Sequence, residues 1–64
     1  MEDWQKRVVD EKKDLDDKIA KLAYFVKNDA KDMAGDEDLW LLRRQLDAMR
    51  DYSVVLNMRI GRFL

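Results

Sequence analysis

The sequence predicts an all-α protein, an antiparallel two-helix hairpin that assembles into a homo-oligomeric helical bundle. The first reason is a run of positions spaced alternately by three and four residues, which lines one stripe of a helix and favours a partner helix. These positions are Leu39, Leu42, Leu46, Met49, Ser53, Leu56, Ile60 and Phe63. The second reason is a neighbouring apolar row made of Leu41, Ala48, Tyr52 and Val55. Because one partner helix covers only a narrow seam, we expect further copies, or another protein, to cover the second row.

The length of the chain limits the number of domains that it can form. Its 64 residues make one domain, residues 1–64, which buries little of its own surface and gains stability from assembly. We predict a first helix over about residues 3–27, a loop over about 28–38 and a second helix over about 39–62. Two helices of this length joined by a short link are expected to fold back on each other.

The first helix is predicted to start at Asp3, whose carboxylate can cap free backbone N–H groups. Its middle is nearly all charged, and spacing of four residues predicts the ion pairs Asp14–Lys18 and Asp17–Lys21. The apolar positions of this helix are Trp4, Val8, Leu15, Ile19, Leu22 and Val26.

The connection contains the residues that commonly end and begin helices. Asn28 and Gly35 tolerate the left-handed conformation of a helix end, and Met33 with Ala34 can add a helical turn. Asp36, Glu37 and Asp38 are expected to cap the second helix and to place negative charge in its first turn.

Composition excludes several kinds of chemistry. The sequence has no cysteine and no histidine, so disulfides, thiolate ligands and imidazole bases are not available. The aspartates near residue 16 are interpreted as a solvated helix face, and Ser53 as a packing or register device because it has no base partner. We therefore predict a protein that is not an enzyme, with no catalytic residues, no metal site and no cofactor.

Charge distribution is more informative than net charge. The formal net charge is -1, unlike the strongly basic balance of a general binder of long nucleic acids. The segment after Asp38, however, contains five arginines and two aspartates, so its net charge is +3. Arginine binds phosphate in a bidentate way, so this half of the chain could bind anions.

No apolar run approaches the length of a membrane span, and the acidic N-terminus lacks the layout of a signal peptide, so we expect a soluble intracellular protein.

Aromatic and basic residues on the two helices form the candidate ligand-binding site, which we predict to be Trp4, Arg44, Tyr52 and Arg59. Tyr52 and Arg59 lie on the same side of the second helix, and an antiparallel hairpin brings Trp4 near Arg59 and Arg62. Rings stack on bases and guanidinium groups bind phosphate, so such a cluster suits a nucleotide. Two alternatives are that the rings only pack and that the arginines pair with Asp47 and Asp51.

The layout resembles small phage-encoded proteins of the type found in crAss-like and many tailed phages. It is also similar to the helical-hairpin domain shared by phage anti-CBASS and anti-Thoeris proteins. The residues that carry the resemblance are Asp3-Trp4, Glu11, Leu15, Ile19, Leu22, Phe25, Leu41 to Leu46, Met49, Tyr52, Leu56 and Arg59-Ile60.

The resemblance implies a homo-oligomer, often a hexamer, in the host bacterial cytoplasm. Such proteins sequester cyclic oligonucleotide or cyclic ADP-ribose signals of bacterial immune enzymes and do not cleave them. Trp4 would stack on a base and Arg59 would bind phosphate. The alternative function is a phage helical interaction module that binds and inhibits a host protein.

Overall fold

The fold is a long helical hairpin with dimensions of 45 × 14 × 13 Å. The computed structural model describes the backbone of residues 1–64 and every side chain except that of Lys31. The chain forms α1 (Asp3–Asn28), α2 (Ala30–Met33) and α3 (Asp36–Phe63). Helices α1 and α3 pack along each other, the short α2 packs against α1, and the described backbone contains no strand. The prediction of an all-α two-helix hairpin is confirmed.

Helix α1 begins with a reciprocal cap that differs from the predicted one. Glu2 is the N-cap residue, and its backbone N–H donates to Oε1 of Gln5 over 2.8 Å. Asp3, predicted as the cap, is instead the first helical residue, where its negative charge suits the positive end of the helix dipole. The glutamine three residues after the cap makes this arrangement possible, as in a capping box.

The connection between the long helices is tighter than the loop predicted over residues 28–38. Residues 30–33 form α2, and Ala30 is completely buried. Helix α3 begins at Asp36, earlier than the predicted residue 39, because extended Gly35 is its N-cap and accepts a hydrogen bond from the Leu39 N–H. No residue of the described backbone has a positive φ, so neither Asn28 nor Gly35 adopts the left-handed conformation that the sequence suggested.

The core lies along the line where α1 and α3 meet. Val8 and Leu15 of α1 and Leu56 of α3 are buried together. Partly buried apolar residues pack around them, namely Ile19, Met49, Ile60 and Phe63. The predicted stripe from Leu39 to Phe63 is buried or half-buried at every position, so it faces α1. We call this stripe the seam.

The second apolar row of α3 lies outside this core. Leu41 is 54% exposed, Tyr52 44% and Val55 51%, and Ala48 is exposed as well. Helix α1 therefore covers one of the two rows, as expected for a hairpin whose second helix is apolar on two sides.

A polar contact crosses the two helices at their middle. The Ser53 hydroxyl donates to Oδ1 of Asp16 over 2.5 Å, and Lys12 Nζ lies 2.5 Å from Oδ2 of the same carboxylate. Of the two predicted ion pairs, Asp17–Lys21 forms at 3.0 Å, whereas Asp14–Lys18 is absent among the described side chains. Ser53 thus links a seam position of α3 to one side chain of α1, which supports its interpretation as a register device.

The cross-helix contact predicts a pH dependence of stability. Hydrogen bonds from Lys12 and from Ser53 hold the pKa of the Asp16 carboxyl below its ordinary value. Between this lowered pKa and the ordinary value, the unfolded chain binds more protons than the folded chain, so stability rises with pH. The contribution of Asp16 is expected to be complete above the unfolded pKa and to disappear as the pH falls through the folded pKa.

Ser53→Ala should reduce that dependence, because one of the two donors that stabilise the charged carboxylate is removed. NMR titration of the Asp16 side-chain carbon measures its pKa directly, and Ser53→Thr, which keeps a hydroxyl, is the matched control. A titration midpoint that is the same in Ser53→Ala and in the unsubstituted chain would contradict the proposed role of Ser53.

Candidate functional site

The open end of the hairpin, where α1 begins and α3 ends, carries an aromatic pair. The rings of Trp4 and Phe63 meet edge to face, with centroids 5.3 Å apart and planes inclined at 73°. Phe63 belongs to the seam and is half-buried, whereas Trp4 is 52% exposed. Packing against Phe63 therefore holds the indole in place while much of its surface stays accessible to a ligand.

A cleft of about 400 Å³ opens beside this pair. Its lining residues are Trp4, Arg59, Arg62 and Phe63. The size falls in the range of small-molecule sites, and the cleft combines aromatic surface with two permanently charged guanidinium groups. Such a lining can stack on a planar ring and donate paired hydrogen bonds to a phosphate.

The arginines of the cleft are available for a ligand. Both ion pairs among the described side chains use lysines of α1, and neither involves an arginine. The alternative that the arginines of α3 pair with Asp47 and Asp51 is therefore not observed in the described side chains. In the part of the chain whose side chains are described, neither Arg59 nor Arg62 forms an ion pair.

Tyr52 lies at a different cleft, of about 410 Å³, on the flank of the hairpin. The other lining residues come from α1 and are Arg7, Asp10, Glu11, Asp14, Leu15 and Lys18. Three carboxylates outnumber two cationic groups there, so the local charge opposes a polyanion. We consider the cleft at the open end the better candidate for a nucleotide, although the two clefts are similar in size.

Arg44 lies near the closed end of the hairpin, over the exposed ring of Trp40. Its guanidinium carbon is 5.9 Å from the ring centroid, within the range of a cation–π contact. Trp40 was not among the predicted site residues, although its spacing of four residues from Arg44 places the two side chains on one helix face.

The structure thus brings together two of the four predicted site residues, Trp4 and Arg59. Arg44 is separated from Arg59 by roughly 22 Å along the helix axis, at 1.5 Å per residue. Tyr52 shares the outer side of α3 with Arg59 but lines the other cleft. Phe63 was predicted only as a seam residue, and its contribution to the cleft depends on the axial alignment of α1 with α3.

The family model described as Sequestin matches residues 2–62. Neither the curated proteins nor the solved structures gave a match. None of the helices in the described residues is both long enough and apolar enough to span a membrane.

Proposed function

Because this chain belongs to the Sequestin family, we propose that it binds a small signalling molecule and withholds it from its receptor. The family name denotes sequestration, which is a binding function and requires no chemical conversion. The exposed indole beside two guanidinium groups is the observation that carries the proposal. Aromatic and cationic surfaces together recognise molecules that contain both a base and a phosphate.

The proposed ligand is a cyclic nucleotide immune signal, either a cyclic oligonucleotide or a molecule of the cyclic ADP-ribose type. The cleft is lined by two aromatic rings and two arginines, and arginine remains protonated in proteins. These side chains can hold a phosphodiester but supply neither a nucleophile nor a general base. The lining therefore favours binding without cleavage.

The biological setting that we propose is phage anti-defence in the host bacterial cytoplasm, directed against CBASS or Thoeris systems. The resemblance to phage hairpin proteins supports this setting, and the family's name agrees with sequestration as the mode of action. We also propose that the functional form is a homo-oligomer. The exposed second apolar row of α3 supports this, since contiguous exposed apolar side chains on a small protein commonly mark an interface.

Isothermal titration with a panel of cyclic dinucleotides, cyclic trinucleotides and cyclic ADP-ribose isomers tests the function. We expect saturable heat with at least one class of ligand. After heat denaturation of the complex, mass spectrometry is expected to recover that ligand intact. Absence of heat with every member of the panel would refute the proposed ligand class, and recovery of a hydrolysed product would refute sequestration without cleavage.

A second candidate function, inhibition of a host protein by the exposed helix surface, has one observation in its favour. Val54 and Met58 lie one turn apart on α3, and they are 58% and 65% exposed. This function predicts that the tagged chain retains one host protein stoichiometrically and that a Val54→Ser, Met58→Ser double variant releases it. Equal retention by the variant and the unsubstituted chain would remove this surface from consideration.

A further inference from the structure

One stripe of α3 is exposed along the whole length of the helix. Its positions alternate by three and four residues, so they lie on one side of the helix. Every member is exposed, although the parallel stripe that faces α1 is covered. The outer stripe consists of Asp38, Leu41, Gln45, Ala48, Tyr52, Val55, Arg59 and Arg62.

The outer stripe changes character from one end to the other. It begins with Asp38, in a first turn that also holds Asp36 and Glu37, and it ends with Arg59 and Arg62. Its middle is mostly apolar. If two copies paired in parallel, acidic ends would meet each other and basic ends would meet each other. In an antiparallel pair, each acidic end lies beside a basic end, which is the arrangement that Coulomb interactions favour.

Side-chain size selects the alignment of such a pair. Tyr52 is the largest apolar member of the outer stripe and Ala48, one turn earlier, is the smallest. When Tyr52 of each copy packs on Ala48 of the other, a large side chain meets a small one at both central layers. The same alignment sets Arg59 against Leu41 and Arg62 against Asp38, so all four apolar members of the outer stripe are covered.

We propose that α3 pairs with α3 of a second copy of this chain, antiparallel along the outer stripe, in this alignment. The resulting dimer has a twofold axis between residues 48 and 52. Each copy contributes its own cleft at the open end of its hairpin, and the two clefts lie at opposite ends of the dimer. Leu41 and Asp38 of the second copy then border the cleft that contains Trp4, Arg59 and Arg62.

This pairing rests on the proposed function and refines it, because it adds a wall to the nucleotide cleft from the second copy. Since Asp38 of the second copy engages Arg62, Arg59 becomes the main group for a bound anion. The pairing also assigns a different position or role to Tyr52 and Arg44, the two predicted site residues that lie outside the cleft. Tyr52 serves the pairing, and Arg44 lies on the flank of the outer stripe.

Engineered cysteines can test the pairing, because the chain has no native thiol. Purified Asp38→Cys and Arg62→Cys chains of different tag length are treated with a short bismaleimide, alone and mixed. The apolar middle of the outer stripe is untouched in both. We expect a cross-linked heterodimer in the mixture and little product from either chain alone.

Arg43→Cys mixed with Asn57→Cys is the matched control. Both residues are exposed, and in the proposed pair Arg43 of one copy lies at the same level along the helix axis as Asn57 of the other. They lie on the side of α3 opposite to the outer stripe. They should not cross-link. Efficient homodimers from Arg62→Cys alone would indicate parallel pairing and overturn the proposal, as would the absence of product from the Asp38→Cys and Arg62→Cys mixture.

Nucleotide titration of the unsubstituted chain keeps the two proposals separate. If the chain binds a nucleotide but its cysteine variants do not cross-link, the pairing is wrong and the proposed function stands. If the variants cross-link as expected and no nucleotide binds, the pairing stands and the proposed function is wrong.

Discussion

Leu56→Ala is expected to unfold much of the population of this chain under conditions in which the unsubstituted chain is folded. Leu56 has no exposed surface and lies in the core cluster with Val8 and Leu15. Replacing a buried leucine with alanine costs about 2–5 kcal/mol through lost burial and the remaining cavity. A domain of this size rarely has more than about 3–5 kcal/mol of stability in total, so the loss is comparable with the whole.

Urea denaturation followed by far-ultraviolet circular dichroism measures this effect, with all chains at the same concentration. Met58→Ala is the matched control, because Met58 lies on the same helix and is 65% exposed. We expect the control to change stability by about 0.5 kcal/mol or less. If Leu56→Ala and Met58→Ala shifted the denaturation midpoint equally, the placement of Leu56 in the core between α1 and α3 would be incorrect.

Arg59→Ala is expected to weaken nucleotide binding by about 30-fold. Arg59 lines the cleft beside Trp4, and the described side chains include no ion pair that occupies it. A hydrogen bond to a charged group contributes about 1.5–3 kcal/mol, and each 1.4 kcal/mol changes the dissociation constant about tenfold. Arg59→Lys should lose part of this affinity, since lysine keeps the charge but not the bidentate geometry.

Isothermal titration with the best ligand of the panel measures the change, after circular dichroism has shown that each variant is folded. Arg50→Ala is the control, because Arg50 is an exposed arginine of the same helix that lines neither cleft. Its affinity should match that of the unsubstituted chain. Equal losses in Arg50→Ala and Arg59→Ala would indicate a diffuse charge effect and would exclude the open-end cleft as the site.

Residue spacing was sufficient to predict which side of each helix is apolar. Spacing by three and four residues sets the angular position of a side chain around its helix axis, whatever the helix packs against. The seam from Leu39 to Phe63 and the uncovered row that contains Tyr52 could therefore be predicted. The proximity of Trp4 to Arg59 followed as well, because an antiparallel hairpin brings its two chain ends together.

How far α1 is shifted along α3 could not be predicted in this way, since angular periodicity carries no information about that shift. Packing of Val8 and Leu15 on Leu56 sets it. That shift places Phe63 against Trp4 and the Ser53 hydroxyl on Asp16, and it leaves Tyr52 beside the charged flank of α1. The cap at Glu2 depends on a hydrogen bond from the Glu2 N–H to the Gln5 side chain, and the start of α3 at Asp36 depends on one from the Leu39 N–H to the Gly35 carbonyl. The spacing of apolar residues does not select either bond.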